Sequence, residues 1–267
     1  MIICRDLNVR YPGTGRGQIP ALNGLSVTIS DSEFTAVIGP NGSGKSTFAL
    51  AVSGLLSYES GSITVNDRNV KDLVTEGSIR DIIGIVFQNP DNQLLTNSLE
   101  REIAIALENR GVPRDVMLGR VDSALERFNL KDLLHLQPEQ LSGGQKQKLA
   151  LASILVADPD YLILDETTSY LDPKDRKMIF SMLRNEYKRK SSGKFSIVLI
   201  TQFVREAVQS DRVIVMNKGA VAADAPPERL FIEHKTLLDS IGIEAPAEYQ
   251  LKAAFPEIDI PSGLLSY

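Results

Sequence analysis

The 267-residue sequence lacks a second cysteine. Because Cys4 is the only cysteine, no disulfide can form within the chain. We expect Cys4 to pack as a small apolar residue in the first strand. The missing disulfide framework favours a reducing cytoplasm.

Long apolar runs are also missing. Ile82 to Phe87 and Tyr161 to Leu164 are among the longest, and both fall far short of the roughly 20 residues that span a bilayer. The first residues, Met1 to Asp6, show no signal-peptide pattern. We therefore expect any membrane role to come through partner proteins.

No block of like charge interrupts the sequence. The formal net charge is -5, and acidic and basic residues are interspersed, so no basic face indicates nucleic-acid binding. With 43% hydrophobic and 24% charged residues, the composition is that of a soluble protein with a buried core. One large α/β domain with a small appendage fits this length.

The sequence predicts a β-rich subdomain at the N-terminal end. Alternating Leu25, Val27 and Ile29, a turn at Asp31-Ser32 and the apolar run Phe34 to Ile38 predict a strand pair that leads into a glycine-rich loop. The glycine-rich stretch from Pro12 to Gly17 is followed by no Lys-Ser/Thr pair, so we interpret it as a flexible hairpin connection.

Between Leu94 and Gln140 the pattern becomes helical. Asn97, three residues before Glu100, predicts a helix start, and Gly111 predicts its end. Pro113 opens a second helix with one apolar face, formed by Met117, Val121, Leu125 and Phe128. Together with the segment that follows, this predicts a helical insertion over about residues 94–158.

Strand-like runs then return and alternate with helical stretches, which is typical of a mostly parallel sheet buried on both faces. They are Tyr161 to Leu164, Phe195 to Ile200 and Arg212 to Met216, with a hairpin turn at 217–219. We predict an ordered appendage at the C-terminal end from its apolar residues Leu230, Phe231, Leu237, Leu238, Leu251 and Phe255.

A phosphate-loop motif, G-x-x-x-x-G-K-[ST], follows a predicted buried strand and precedes a predicted helix. Its residues are Gly39, Pro40, Asn41, Gly42, Ser43, Gly44, Lys45, Ser46 and Thr47. Glycines in such a loop let backbone N–H groups surround phosphate oxygens at the positive end of the helix dipole. Lys45 would reach the β and γ phosphates of ATP, and the Ser46 hydroxyl would coordinate Mg²⁺.

Two further motifs carry chemistry. The apolar strand from Tyr161 ends in Asp165 and Glu166, which predicts a carboxylate for Mg²⁺ and a base for the attacking water; the alternative is a pair of solvated acids. The sequence Leu141-Ser142-Gly143-Gly144-Gln145 predicts a second helix start that can receive a phosphate, with a simple glycine cap as the alternative.

These motifs and their order resemble the ABC transporter ATPases over about residues 1–231. The resemblance implies an α/β P-loop NTPase core with an N-terminal antiparallel β-subdomain, a helical insertion and a small C-terminal appendage over 232–267. It also implies a head-to-tail dimer, in which the signature of one subunit closes over the ATP held by the phosphate loop of the other.

Three more segments match the family pattern. Tyr11 resembles the aromatic residue that stacks on adenine, although it can also be a strand-end core tyrosine. Gln88 resembles the glutamine that touches Mg²⁺ and water and senses the membrane subunit, with a surface glutamine as the alternative. Ser169-Tyr170-Leu171-Asp172 is similar to the loop through which the two subunits communicate.

The stretch from Val86 to Gln93, the start Arg10-Tyr11-Pro12 and the tail from Leu238 to Ile243 are similar to energy-coupling factor ATPases. The resemblance implies a second ATPase subunit, identical or not, a transmembrane coupling protein and a substrate-binding membrane protein for a vitamin or metal ion. It places the chain at the cytoplasmic face of the membrane and the tail in the dimer contact.

Thr201-Gln202 departs from the family pattern, which has Thr-His with the histidine at the γ-phosphate. Glutamine donates a hydrogen bond but cannot carry a proton or a positive charge, so we expect slowed hydrolysis. Glu166 is the better candidate for the base, with Lys45 and Gln202 as the other catalytic candidates. Two alternatives stay open: a nucleotide-sensing, weakly hydrolysing partner of a heterodimer, and a soluble ABC ATPase acting on ribosomes or DNA.

Overall fold

The computed structural model describes residues 1–13, 17–190 and 193–255. Strands and helices alternate along the chain. The strands are β1 Ile2–Pro12, β2 Gln18–Ile29, β3 Phe34–Ile38, β4 Ser60–Val65, β5 Arg68–Asn69, β6 Ile83–Val86, β7 Tyr161–Asp165, β8 Ser196–Ile200, β9 Arg212–Asn217 and β10 Ala220–Ala225. The helices are α1 Lys45–Val52, α2 Val70–Thr75, α3 Ile79–Ile82, α4 Leu99–Glu108, α5 Arg114–Arg127, α6 Gly143–Leu155, α7 Pro173–Arg189, α8 Val204–Ala207, α9 Pro227–Glu233, α10 Lys235–Ser240 and α11 Ala247–Ala254.

The chain divides into two compact units. One contains the residues up to Asn69 together with those from Leu199 onward, and the other contains Val70–Val198. The boundaries predicted from the sequence, 1–231 and 232–267, remain a prediction.

The first unit opens with the antiparallel sheet that the sequence predicts. Its strand order is β2-β1-β4-β5, and β1 lies antiparallel to both β2 and β4. Cys4, Leu7 and Val9 of β1 are buried, and the odd spacing between Cys4 and Leu7 coincides with an irregularity in the strand register, where Asp6 has a φ of 47°. Gly13 donates to the Gly17 carbonyl at 2.9 Å and closes the β1–β2 connection, while residues 14–16 of the predicted hairpin lie outside the described residues.

The predicted pairing of β2 with β3 is wrong. β2 pairs with β1, whereas β3 lies parallel to β9. The reason is burial: every residue of β3 is buried, so this strand needs cover on both faces, whereas β2 has exposed residues that suit a half-buried sheet. The turn at 31–32 nevertheless exists, with Ser32 at a φ of 54°.

The C-terminal helices share the core of the first unit. Leu230, Phe231 and Leu238 are buried, and the Phe231 ring lies 5.4 Å from the Tyr249 ring. The same cluster contains apolar residues of β3, β9 and β10. Leu251 and Phe255 are exposed, and residues 256–267 of the predicted appendage lie outside the described part.

The second unit contains the helical insertion. β6 and β7 are parallel neighbours, and α6 packs against β6, α4 and α7. Helix α4 starts one residue later than predicted: its N-cap is Ser98 and not Asn97, and the Ser98 hydroxyl accepts from the Arg101 N–H at 3.3 Å. Helix α5 follows Pro113 as predicted, with Val121 and Leu125 buried.

In the residues that the structure describes, no helix is both long and apolar enough to cross a bilayer.

Candidate functional site: a phosphate loop and a signature helix

The phosphate-loop motif occupies the turn between β3 and α1 in the first unit. Lys45 is the first residue of α1, and its ammonium group donates to the carbonyls of Gly39 at 2.9 Å and Pro40 at 3.1 Å. These bonds curl the loop around the lysine. The Ser43 hydroxyl is buried and has no protein partner in the described structure, so it remains available to a ligand oxygen.

Gly44 caps the N-terminus of α1 in a conformation that only glycine adopts easily, with a φ of 102°. A Cβ at this position would lie 2.5 Å from the Ala21 carbonyl oxygen. The loop is also held by the β9–β10 turn, where the Gly219 N–H donates to the Ser43 carbonyl at 3.0 Å. The tight loop leaves backbone N–H groups at the helix start for an anion.

Tyr11 is tied to the helix that follows the phosphate loop. Its hydroxyl lies 3.3 Å from the Thr47 hydroxyl, and its side chain is 36% exposed. This position combines an anchored phenol with an accessible ring, as stacking on a base requires.

Gln202 follows β8 in a loop of the first unit. Thr201 fixes this loop: its N–H donates to the Val37 carbonyl at 3.2 Å, and its hydroxyl donates to the buried Glu206 at 2.5 Å. The same hydroxyl accepts from the Phe203 N–H at 3.0 Å. Because Val37 lies two residues before Gly39, the exposed Gln202 and the phosphate loop follow the ends of neighbouring strand segments.

The two predicted carboxylates end β7 in the second unit. Asp165 is buried, and Glu166 takes the left-handed conformation with a φ of 50°, which is rare for a residue with a side chain. Glu166 accepts from the Gln88 amide at 3.1 Å and from the Ser169 hydroxyl at 3.5 Å. The structure thus brings together Gln88 and Glu166, which are 78 residues apart in the sequence.

The loop after Gln88 is held by its own side chains. Gln93 accepts from the Phe87 N–H at 3.2 Å and donates to the Ile85 carbonyl at 3.3 Å. Asn89 caps a short 3₁₀ helix, Pro90–Asn92, by accepting from the Asp91 N–H at 3.0 Å. Asp91 in turn forms an ion pair with Lys146 of α6 at 2.6 Å.

The signature residues form the start of α6. Ser142 and Gln145 make a capping box: the Gln145 N–H donates to the Ser142 hydroxyl at 3.3 Å, and the Ser142 N–H donates to the Gln145 side chain at 2.8 Å. Ser142 and Gly143 are exposed, whereas Gly144 is buried. The open side of this helix start can therefore receive an anion.

Helix α7 packs against α6, and its residue Asp175 contacts the signature residue Gly144. A Cβ on Gly144 would collide with the Asp175 carboxylate, so this position admits only glycine without movement of its neighbour. One turn further along α6, burial lowers the pKa of Lys148, and the nearby Asp175 charge opposes that shift.

The segment 169–172 joins β7 to α7. Asp172 caps α7 by accepting from the Asp175 N–H at 2.8 Å, and Leu171 is largely buried with its Cδ2 atom 4.0 Å from where a Cβ of Gly143 would stand. Tyr170 is 78% exposed between them. The segment therefore presents one aromatic ring to solvent beside the signature.

The structure places the predicted residues in two groups. The first unit holds Tyr11, the phosphate loop and Gln202, and the second holds Gln88, Asp165, Glu166 and the signature. The roles predicted for these residues remain predictions. Sequence reasoning named Ser169 but missed its contact with Glu166, and it also missed the Asp91–Lys146 pair and Asp175. Of these, only Lys146 carried a signal, as a cation near the start of a helix where the dipole disfavours it.

Comparison with known proteins places this geometry among transport ATPases. A family model described as ABC transporter matches residues 22–169. The chain is 42% identical over 260 residues to the energy-coupling factor transporter ATP-binding protein EcfA1 of Bacillus subtilis, with 96% of this chain and 89% of the relative covered.

Two solved structures are also similar. CbiO1 from Clostridium perfringens, part of the ABC transporter complex cbiONQ, has a TM-score of 0.76 and 32% identity, covering 94% of this chain and 97% of that chain. The cassette MJ0796, in a dimeric post-hydrolysis state bound to ADP and Pi, has a TM-score of 0.74 and 26% identity, covering 85% and 98%.

Proposed function

The chain belongs to the ABC transporter family, and we propose that it is the ATP-binding and ATP-hydrolysing subunit of an energy-coupling factor importer. The observation that carries this proposal is the phosphate loop. The Lys45 ammonium donates hydrogen bonds to the loop carbonyls, and there is no room for a side chain at Gly44. The buried Ser43 hydroxyl has no hydrogen-bond partner in the described structure. Such a loop suits the phosphates of ATP.

For the hydrolysis step we assign Glu166 as the base. Water attacks the γ-phosphate in line, its proton passes to the Glu166 carboxylate, and ADP leaves. The Gln88 amide, which donates to Glu166 at 3.1 Å, orients that carboxylate. Lys45 stabilises charge on the phosphates, and the signature of a second subunit, Ser142 to Gly144, does so from the other side.

We propose Ser46, Gln88 and Asp165 as the ligands of Mg²⁺ because of their chemistry. The exposed hydroxyl of Ser46, the Gln88 amide oxygen and the Asp165 carboxylate are oxygen donors, which is the ligand type that Mg²⁺ prefers. When bound, the ion neutralises phosphate charge. Ser46 lies in the first turn of α1, Gln88 follows β6, and Asp165 is the last residue of β7.

The proposed partners follow from the relatives. EcfA1 of Bacillus subtilis is an energy-coupling factor transporter subunit, CbiO1 is part of a transporter complex, and MJ0796 is dimeric. By analogy, this chain pairs with a second ATPase subunit and binds membrane proteins, which would place it peripherally at the cytoplasmic face. We assign the C-terminal appendage, 232–267, to the dimer contact.

A second candidate is a nucleotide-sensing subunit that binds ATP but hydrolyses it weakly. Gln202 favours it, because an exposed glutamine at this position cannot exchange a proton with the γ-phosphate. The third candidate, a soluble ABC ATPase, is supported by no feature of the described structure.

Two experiments separate these functions. Steady-state ATPase activity and ATP binding are measured for the full chain, alone and with a second ATPase subunit, together with Lys45→Ala and the surface control Lys71→Ala. Turnover that Lys45→Ala abolishes and Lys71→Ala leaves intact supports the enzyme; binding without turnover supports the sensor; absence of ATP binding refutes both.

The transport role is tested by purifying the tagged chain from native membranes in detergent. Co-purification of a polytopic coupling protein and a second ATPase supports the importer. Recovery with ribosomal or DNA-repair proteins and no membrane protein would refute it.

A further inference from the structure

The Asp91–Lys146 ion pair joins two segments with different tasks. Asp91 lies in the loop that carries Gln88, and Lys146 is the fourth residue of α6, directly after the signature. We propose that Asp91 and Lys146 are a positioning pair that fixes the signature start relative to the Gln88 loop. The proposal rests on the proposed function, because the signature matters only if it receives ATP from a second subunit.

The geometry of the pair is specific. The Lys146 ammonium lies 2.6 Å from Asp91 Oδ1, and the lysine side chain is only 16% exposed, whereas Asp91 is 60% exposed. Lys146 is therefore held down on the protein surface toward the loop. A freely solvated lysine would extend into water instead.

The position of Lys146 also argues for a task other than helix stability. The N-terminal end of a helix carries partial positive charge, so a lysine there is unfavourable. No acidic residue occupies the first turn of α6 to compensate for it. The compensating charge comes from Asp91, 55 residues earlier in the sequence, which leaves the exposed N–H groups of the helix start positive for a phosphate.

The loop that holds Asp91 is stiff enough to act as a support. Gln93 ties it back to β6 through Phe87 and Ile85, and Asn89 caps the 3₁₀ helix that contains Asp91. At its beginning, Gln88 donates to Glu166. One short segment thus contacts the proposed base at one end and the signature helix at the other.

The functional consequence concerns the two ATP sites of a dimer. Under the proposed function Gln88 acts with the base Glu166, whereas the signature serves the ATP of the partner subunit. The pair Asp91–Lys146 makes the position of the second element depend on the first. Loss of the pair should therefore slow turnover while leaving ATP binding at the phosphate loop unchanged.

The test compares Asp91→Asn, Lys146→Gln, the double variant and the conservative Asp91→Glu in the full-length chain. Asp122→Asn, which breaks the exposed 2.9 Å pair with Lys131, is the matched control. Amide hydrogen exchange of residues 142–147 is measured first, because it does not depend on hydrolysis. ATP affinity, KM, kcat and the unfolding temperature are measured on the same proteins.

We expect both single neutralisations to speed exchange at 142–147 by about threefold to tenfold and to lower kcat by a similar factor. ATP affinity and KM should stay within about twofold, and the unfolding temperature within about 2 °C, because partly exposed pairs add little to stability. The double variant should be no worse than the singles, and Asp91→Glu and Asp122→Asn should match the wild type.

Unchanged exchange in Asp91→Asn would overturn the proposal. So would a loss of kcat in Lys146→Gln that Asp91→Asn does not share, since Lys146 would then act on the phosphate directly. If exchange responds as expected while the wild type binds no ATP, the positioning pair stands and the proposed function fails.

Discussion

Gly144→Ala, in the signature, gives the sharpest test of the packing described above. The new Cβ would collide with the Asp175 carboxylate of α7, whereas a Cβ on Gly143, one residue earlier in the same helix, would meet only Leu171 Cδ2 at 4.0 Å. Both substitutions replace glycine by alanine in a helix, which by itself stabilises by up to about 1 kcal/mol. Gly143→Ala is therefore a matched control.

The difference between the two variants isolates the collision. Forcing an extra carbon into a packed site destabilises by about 1–3 kcal/mol. The clashing atoms are the end of the partly exposed Asp175 side chain, which can rotate, so the cost lies at the low end of this range. Gly144→Ala should thus have a free energy of unfolding about 1 kcal/mol below that of Gly143→Ala, which corresponds to roughly 2–4 °C in unfolding temperature for a chain of this size. Urea and thermal unfolding measure both values.

Variants in an Asp175→Ala background test whether the Asp175 carboxylate causes the difference in stability. In an Asp175→Ala background the carboxylate is gone, so Gly144→Ala should there be as stable as Gly143→Ala in the same background. Equal stability of Gly144→Ala and Gly143→Ala with Asp175 intact would refute the packing of α7 against the signature. Gly143→Ala should nevertheless lose ATPase activity, because its exposed position lies where the partner's phosphate is proposed to bind.

Three further predictions concern single residues. Glu166→Gln should lower turnover about 10²-fold or more with ATP affinity retained, and unchanged turnover would exclude Glu166 as the base. Gln202→His should raise turnover about tenfold in a steady-state assay, because histidine can carry the proton that glutamine cannot; no gain would show that Gln202 does not limit the rate. Burial raises the pKa of the Cys4 thiol to about 12. The unfolded thiol ionises near its ordinary pKa of about 8.5, so the stability that the neutral buried thiol provides is complete below that pH and is lost as pH rises toward 12. Unfolding of the wild type and of Cys4→Ala, compared between pH 8 and 11, should show a shallower loss in the variant, and parallel curves would contradict the assignment.

Local motifs made much of the fold and chemistry predictable. The resemblance to energy-coupling factor ATPases is confirmed by relatives about 40% identical over most of the chain. The strand before the phosphate loop, the hairpin at Lys218-Gly219 and the start of α5 after Pro113 are also confirmed, because each depends on residues adjacent in the sequence. Lys218 and Gly219 both have positive φ, as a tight hairpin turn requires.

The errors arose where two alternatives compete, either between distant strands or between adjacent capping residues. β2 and β3 are neighbours in sequence and joined by a correctly predicted turn, yet they pair with β1 and β9, because a five-residue fully buried strand is stabilised only in a sheet covered on both faces. The helix start at Ser98 differs from the predicted Asn97 because two adjacent residues can both cap, and the backbone selects the one whose oxygen reaches the Arg101 N–H.

Gln202 lies in a loop that is held by the residue before it. The backbone around it is fixed by Thr201, which bonds to Val37, Phe203 and the buried Glu206. These three bonds do not involve the Gln202 side chain, so they should persist when Gln202 is replaced. If Gln202 faces the γ-phosphate as proposed, replacing it by histidine changes the proton chemistry at that position, and the effect should appear in the rate of hydrolysis and not in ATP affinity.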